Sequence, residues 1–279
     1  MTFVGSRSLL SIGRVSTDVL VIATDTNWTV KLNANGAGDF KSPTTDLWIG
    51  TNNIFLRTNT FDDYREKKTV NALDLDVGKF NQWMAGNPLK SIYVEDRRSS
   101  STNLTAVRVT NGQILTNGLT IATARPLYVR GDFNTLQTKP ASLVGDSITI
   151  LSTMWNDAYT SRMPTAGNTT VNAALLAGIV PTTNVGGIKH YSGGVHNFPR
   201  FLENWNGQVF TFNGSMVALF PSRYATNFWK SPGDYYYPPT RQWAFDVNFL
   251  NKDKLPPLTP EVQKLVRGQW RVIAATSPN

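Results

Sequence analysis

Short apolar or alternating runs recur along the chain, each broken by glycine, asparagine or aspartate. In the first 60 residues they are VLVIAT (19–24), WTVKL (28–32) and DLWIGTNNIFLRT (46–58). β-Branched and aromatic residues bounded by turn formers are what strands in a turn-rich fold require. NALDLDVGKFNQWMAGN (71–87) reads differently. Leu73, Val77, Phe80 and Met84 recur on one face at helical spacing, and Gly86 and Pro88 stand where a helix should stop. That pattern predicts an amphipathic helix, near 72–85, covering an end or flank of a sheet core.

From residue 104 the β pattern becomes more regular, through LTAVRVTNGQIL (104–115), GLTIATARPLYVRGDFN (118–134), ASLVGDSITIL (141–151), TTVNAALLAGIV (169–180) and QVFTFNGSMVALF (208–220). Each run carries a glycine-centred interruption, at Gly131, Gly145, Gly178 or Gly214. A recurrence of this length in β-type sequence predicts stacked repeats, with the glycines at corners needing positive φ. The expected fold is all-β: a single domain over 1–279 built as a right-handed parallel β-solenoid. Residues 1–90 would form N-terminal coils and the helix, 91–220 regular coils, and 221–279 an aromatic loop and C-terminal cap. A β-sandwich is the competing architecture, less favoured by the irregular stretches 152–168 and 221–243.

Composition agrees with β structure. The 279 residues are 41% hydrophobic, enough for a core, and only 16% charged; Asn, Thr, Ser and Gly supply the rest of the polarity. There is no cysteine, so disulfides and thiolate metal sites are excluded. No window approaches the roughly 18 apolar residues of a membrane span, and the first residues lack a signal peptide's apolar core. The net charge of +8 admits anionic partners. However, the densest runs, REKK (65–68) and EDRR (95–98), mix acids with bases and read as solvated surface. No nucleic-acid-binding motif is present.

Gly145-Asp146-Ser147-Ile148-Thr149 resembles the nucleophile block of GDSL-type esterases. Such a serine needs a histidine base, usually in an Asp-x-x-His run. The two histidines, His190 and His196, are instead preceded at that spacing by Gly187 and Gly193. The block also lies mid-chain rather than after the first strand. Ser147 is therefore expected at a structural corner, and no catalytic residue is assigned. Two clustered histidines without cysteine make no metal site, and no cofactor loop is present. Paired acids at Asp62-Asp63 and Asp74/Asp76 leave open a glycoside hydrolase or polysaccharide lyase, chemistry that β-helical scaffolds host.

Aromatic residues concentrate in the last third, in HNFPRFLENWNGQVF (196–210) and RYATNFWKSPGDYYYPPTRQWAFDVNF (223–249). Flat rings beside amide and guanidinium donors suit sugars, whose apolar face stacks while their hydroxyls hydrogen-bond sideways. Trp205, Trp229, Tyr236, Arg241 and Trp243 are the expected ligand-binding residues; the same rings would equally plug the end of the core.

The segments YSGGVHNFPRFLENWNG, GSMVALFPSRYATNFW, YYYPPTRQWAFDVNFL and LPPLTPEVQKLVRGQWR resemble the C-terminal region of uncharacterised bacterial secreted proteins. Those proteins begin with a prepilin-like or PilX-type pilus-assembly N-terminus. The resemblance covers about residues 90–272 and implies export and a cell-surface or pilus-associated role, without assigning catalytic residues. The expected function is thus an extracellular recognition module that binds polysaccharide or another surface glycan, without a cofactor. Alternatives are a carbohydrate-active enzyme on the same scaffold and a structural pilus or filament accessory subunit.

Overall fold

A computed structural model describes residues 56–83, 90–96, 98, 100–160, 162–194, 198–230 and 233–259, with short strands at 10–16, 19–24, 40–41 and 48–49. In chain order the first elements are β1 (Leu10–Ser16), β2 (Val19–Thr24), β3 (Phe40–Lys41), β4 (Trp48–Ile49), β5 (Leu56–Asp63), β6 (Lys68–Asp76) and helix α1 (Val77–Trp83). Then come β7 (Ser91–Asp96), β8 (Leu104–Thr110), β9 (Gly112–Ile114), β10 (Leu119–Thr123), β11 (Leu127–Arg130), β12 (Phe133–Leu136), β13 (Ala141–Gly145) and β14 (Ile148–Leu151). The last are β15 (Thr169–Ile179), β16 (Thr183–Val185), β17 (Ile188–His190), β18 (Arg200–Phe201), β19 (Val209–Pro221) and β20 (Thr240–Phe245).

Two large sheets carry the fold. One has ten strands, ordered β1-β2-β7-β10-β13-β15-β12-β9, with β19 and β20 continuing from β15; the other is ordered β18-β14-β11-β8-β6-β5. The core fills the space between them. Leu73, Val107, Val129 and Ile150 point inward from the six-stranded sheet, and Ile92, Ile121, Leu143, Leu175 and Phe212 from the ten-stranded one, all buried in one cluster. Side chains alternate between the two faces of each strand, so the residues between these form the sheets' outer faces.

A β-solenoid running through the chain is not the architecture. The sheets are mixed: β1/β2 and β5/β6 pair antiparallel, while β6/β8, β10/β13 and β15/β19 pair parallel. The eleven-residue β15 reaches both β12, through Phe133↔Val171, and β13, through residues 174–177, so the sheet curls instead of repeating identical layers. The β-sandwich fits no better, because the central strands of both sheets run parallel.

The expected helix is shortened for a visible reason. Residues 68–76 form β6, buried on both faces by Leu73 and Leu75 on one side and Val70 and Ala72 on the other. Helix α1 starts only where Asp76 accepts a hydrogen bond from the Lys79 backbone N–H at 3.0 Å, capping it. Met84 lies outside the described residues. The aromatic C-terminal loop is also interrupted by regular structure. Residues 240–245 form β20, in parallel register with 209–214 of β19.

Of the four glycines expected at corners, only Gly131 has positive φ, 74°. Gly145, Gly178 and Gly214 sit within strands, where what matters is close approach. A Cβ at Gly145 would lie 2.8 Å from the Leu127 Cβ, one at Gly178 would lie 2.9 Å from the Asp146 carbonyl oxygen, and one at Gly214 would collide with the Ala173 carbonyl.

Candidate functional site

The outer face of the six-stranded sheet carries a cross-strand polar row. Arg57, Asp74, Arg108, Tyr128, Thr149 and Arg200 are register partners across β5, β6, β8, β11, β14 and β18. In-register parallel strands place such residues about 4.8 Å apart. Arg108, fully buried, binds Asp74 bidentately through Nε and Nη2, both at 2.7 Å. It also reaches Asp157 through Nη1 at 2.5 Å and Nη2 at 2.8 Å. Its guanidinium lies 5.0 Å over the Phe61 ring. Burial would push the Asp157 carboxyl up, but the hydrogen bonds and charge of Arg108 outweigh it and hold that carboxyl below its ordinary range.

Beside this row opens a polar cleft of about 370 Å³, within the size range of small-molecule sites. Its lining includes Arg57, Asn59, Gln113, Arg130, Asp132 and Thr153, with Asp74 and Asp76. Of the acids that suggested acid–base chemistry, the pair in the cleft is fully engaged. Asp74 takes Arg108 on both oxygens and Asn59 on one, at 2.6 Å; Asp76 takes the Lys79 N–H and the Asn111 amide, the latter at 2.9 Å. Asp132 accepts from the Thr170 N–H at 2.8 Å. The cleft therefore presents a fixed array of donors and acceptors. Arg130 is itself anchored by a 3.0 Å bond to the Trp155 carbonyl.

The aromatic residues expected to bind ligand lie elsewhere and inward. Trp205 and Tyr236 are fully buried, packed on Phe201 with ring centroids at 5.2 and 5.5 Å. Trp243, half-buried on β20, meets Phe210 and Phe212 edge-on, with the Arg241 guanidinium 5.2 Å over its ring. Trp229 packs on the same core and meets Tyr191 at 5.9 Å. The structure thus places Trp205 and Tyr236 in the core, with the partly exposed Trp243 and Arg241 packed at the edge of the same cluster.

Ser147 is buried in the turn between β13 and β14, and the Asp146 carboxylate beside it accepts the backbone N–H groups of Arg223, Tyr224 and Ala225. His190 stacks on Phe228 at 4.1 Å, and His196 lies outside the described residues. The Gly-Asp-Ser run therefore anchors the 223–225 segment to the turn.

The basic runs are solvated only in part: Lys67 and Lys68 are exposed. Arg65 and Glu66, in the β5–β6 turn, are buried, as are Asp96 and Arg98, which pair at 2.7 Å. Glu66 binds Arg200 at 2.7 Å, and Tyr128 donates to Asp63 at 2.6 Å. Sequence reasoning missed these groups because a charged turn gives no sign of the segments that later cover it. Glu203 is a further buried acid, accepting from the Ser152 N–H at 2.7 Å and hydroxyl at 2.6 Å. Burial pushes its carboxyl up to about 7, against the partial opposition of those two bonds.

The ten-stranded sheet's outer face offers a second hollow, a groove of about 730 Å³. Its floor is a row of small residues, Ser91, Thr120, Ser142, Ala174 and Ser215, beside an apolar row, Tyr93, Ala122, Val144, Leu176 and Val217. Phe245, Phe249 and Leu258 help wall it, and the Pro257 carbonyl is tied to Thr120 Oγ1 at 2.5 Å.

Among the described residues no group of His, Asp and Glu is placed to hold a metal ion, and no helix is long and apolar enough to cross a membrane. Neither family models, curated proteins nor solved structures contain a match to this chain. The pilus-assembly resemblance therefore stands on its sequence segments alone.

Proposed function

We propose that the chain is an exported, cell-surface or pilus-associated recognition module that binds polysaccharide in the polar cleft beside β6. The carrying observation is the cleft's lining: arginine, amide, hydroxyl and carboxylate groups in rows at strand spacing, each carboxylate already held by other protein groups. A neutral polyhydroxylated chain offers hydroxyls that both donate and accept, and can satisfy such an array without bringing charge into it. Engagement of every oxygen of Asp74 and Asp76 favours binding over glycosidic cleavage, which needs one carboxylic acid free to give up its proton.

Retention on insoluble polysaccharides and on a glycan array tests the reading, with Arg57→Ala, Gln113→Ala and Arg130→Ala as probes. Loss of about tenfold in affinity with unchanged melting temperature is expected, equivalent to roughly 1.4 kcal/mol. Full retention by all three variants would overturn the cleft as the binding surface. Release of reducing ends or unsaturated sugars by the wild-type chain would replace binding with catalysis.

A further inference from the structure

Among the described residues of the buried charge cluster, Arg65 is the one whose charged group lacks an acceptor. Its side chain is fully buried, and Nε, Nη1 and Nη2 have no hydrogen-bond partner among the described residues. The acids nearby are already committed. Glu66 takes Arg200 Nη1 at 2.7 Å on Oε1 and the Asn227 N–H at 3.0 Å on Oε2. Asp63 takes the Glu66 N–H at 2.8 Å on Oδ1 and the Tyr128 hydroxyl at 2.6 Å on Oδ2. Arg200 spends its other arm on the Ala225 carbonyl at 2.8 Å.

The missing partner has a definite chemistry. A guanidinium has five N–H donors and no acceptor, and leaving it dry and unbonded is strongly unfavourable. The Tyr235 hydroxyl, also buried and without a partner among the described residues, lies within electrostatic reach of Arg65 and Glu66. Arg200 adds a second positive charge whose repulsion is felt at Arg65. The charges of Glu66 and Asp63 act on Arg65 as well, but their oxygens accept from other groups and none accepts from Arg65. Burial, reinforced by the Arg200 charge, lowers Arg65 to about 9, so the cation itself is under pressure there. An acceptor-only ligand bearing negative charge relieves the unbonded donors and the Arg65–Arg200 repulsion together, whereas water must also place its own two protons.

We propose that Arg65, with the Tyr235 hydroxyl and the field of Arg200, binds a small monovalent anion of the chloride type, as an internal clamp joining the β5–β6 turn to residues 225–227. The Asn227 side-chain amide already donates to the Arg65 carbonyl across the same junction, so the anion would complete an existing contact. This site is separate from the polar cleft and does not depend on sugar binding.

The test uses the full chain exchanged into sodium gluconate, titrated with sodium chloride at constant ionic strength. Melting temperature and ³⁵Cl NMR line width are both followed. A saturable rise in melting temperature and excess line broadening are expected. Tyr235→Phe, which removes one hydroxyl, should weaken the apparent chloride affinity severalfold while folding normally. Arg65→Met, if it folds, should abolish both responses. Should wild type and Tyr235→Phe melt identically at every chloride concentration, without excess broadening, the anion site is refuted and water fills the position. A chloride response that survives undiminished in Tyr235→Phe and in folded Arg65→Met would equally overturn it, by placing the anion elsewhere.

Discussion

The outer faces of the two large sheets are both built mainly from parallel, in-register strands, yet they differ in chemistry. On the six-stranded sheet the cross-strand row reads Arg57, Asp74, Arg108, Tyr128, Thr149, Arg200. On the ten-stranded sheet the corresponding rows are small and apolar, ending in Leu176 and Val217. Parallel stacking multiplies whatever side chain occupies a position, because each residue stands beside its register partner. One face thereby became a charged ladder with satisfied partners, the other an apolar trough. The lesson is that the chemistry of a face here is a property of rows rather than of single loops.

The largest effect that would break this comparison comes from the polar row. Asp74→Ala strands the buried Arg108 with half its partners, and removing one member of a buried ion pair costs about 3–5 kcal/mol. Chemical denaturation should show that loss, and a cost below about 1 kcal/mol would mean that the row is not dry. On the apolar sheet the sensitive point is backbone spacing. Gly214→Ala drives a methyl group into the Ala173 carbonyl and is expected to cost about 3 kcal/mol, the upper range for overpacking. A neutral result in a thermal melt would show that β15 and β19 can part.

Polar groups also turn inward where the six-stranded sheet ends, at Glu203 and Ser152. The native Glu203 carboxyl sits near 7, above its ordinary 4.5, so between those values the folded protein keeps a proton that the unfolded chain releases. Stability must therefore fall as pH rises from about 4.5 to about 7 and level off above. The total change is about 3 kcal/mol, at about 1.4 kcal/mol per pH unit over about 2.5 units. Glu203→Gln should flatten that part of the stability profile; an unchanged slope would assign it to other groups. The smallest effect belongs to the trough. Leu176→Lys, on a half-buried position, should change stability by no more than about 1 kcal/mol while abolishing binding of an apolar fluorescent dye. Dye binding that persists would place it outside the groove.

Part of this was legible from the chain. The apolar runs at 104–110, 119–123, 141–145 and 209–221 are strands, and the first three bury most of their apolar residues in the core, as the fourth does Phe210 and Phe212. The polar ladder was not legible, since Asp74, Arg108 and Tyr128 lie far apart in sequence and only register aligns them. Residues 71–76 satisfied helical spacing and alternation together, and pairing with β5 and β8 decided for the strand. Trp205 and Tyr236 looked like a surface because composition records which rings are present and not which way they face. Arg65 and Glu66 read as solvent-exposed for the same reason. The glycines were correctly singled out as unable to bear a side chain, but at 145, 178 and 214 the cause is a neighbouring strand, not backbone φ.

The claim that recognition belongs to the polar face is tested most directly by one side-by-side measurement. Polysaccharide retention and melting temperature would be recorded for Arg130→Ala in the cleft, Trp243→Ala in the aromatic cluster and Leu176→Lys in the trough. Arg130→Ala is expected to fold normally and lose retention. Trp243→Ala should lose stability, by about 2–4 kcal/mol for a half-buried ring, with retention intact at temperatures where it stays folded. Leu176→Lys should bind as wild type. Retention kept by Arg130→Ala and lost by a fully folded Trp243→Ala would contradict the account and return the binding surface to the aromatic residues.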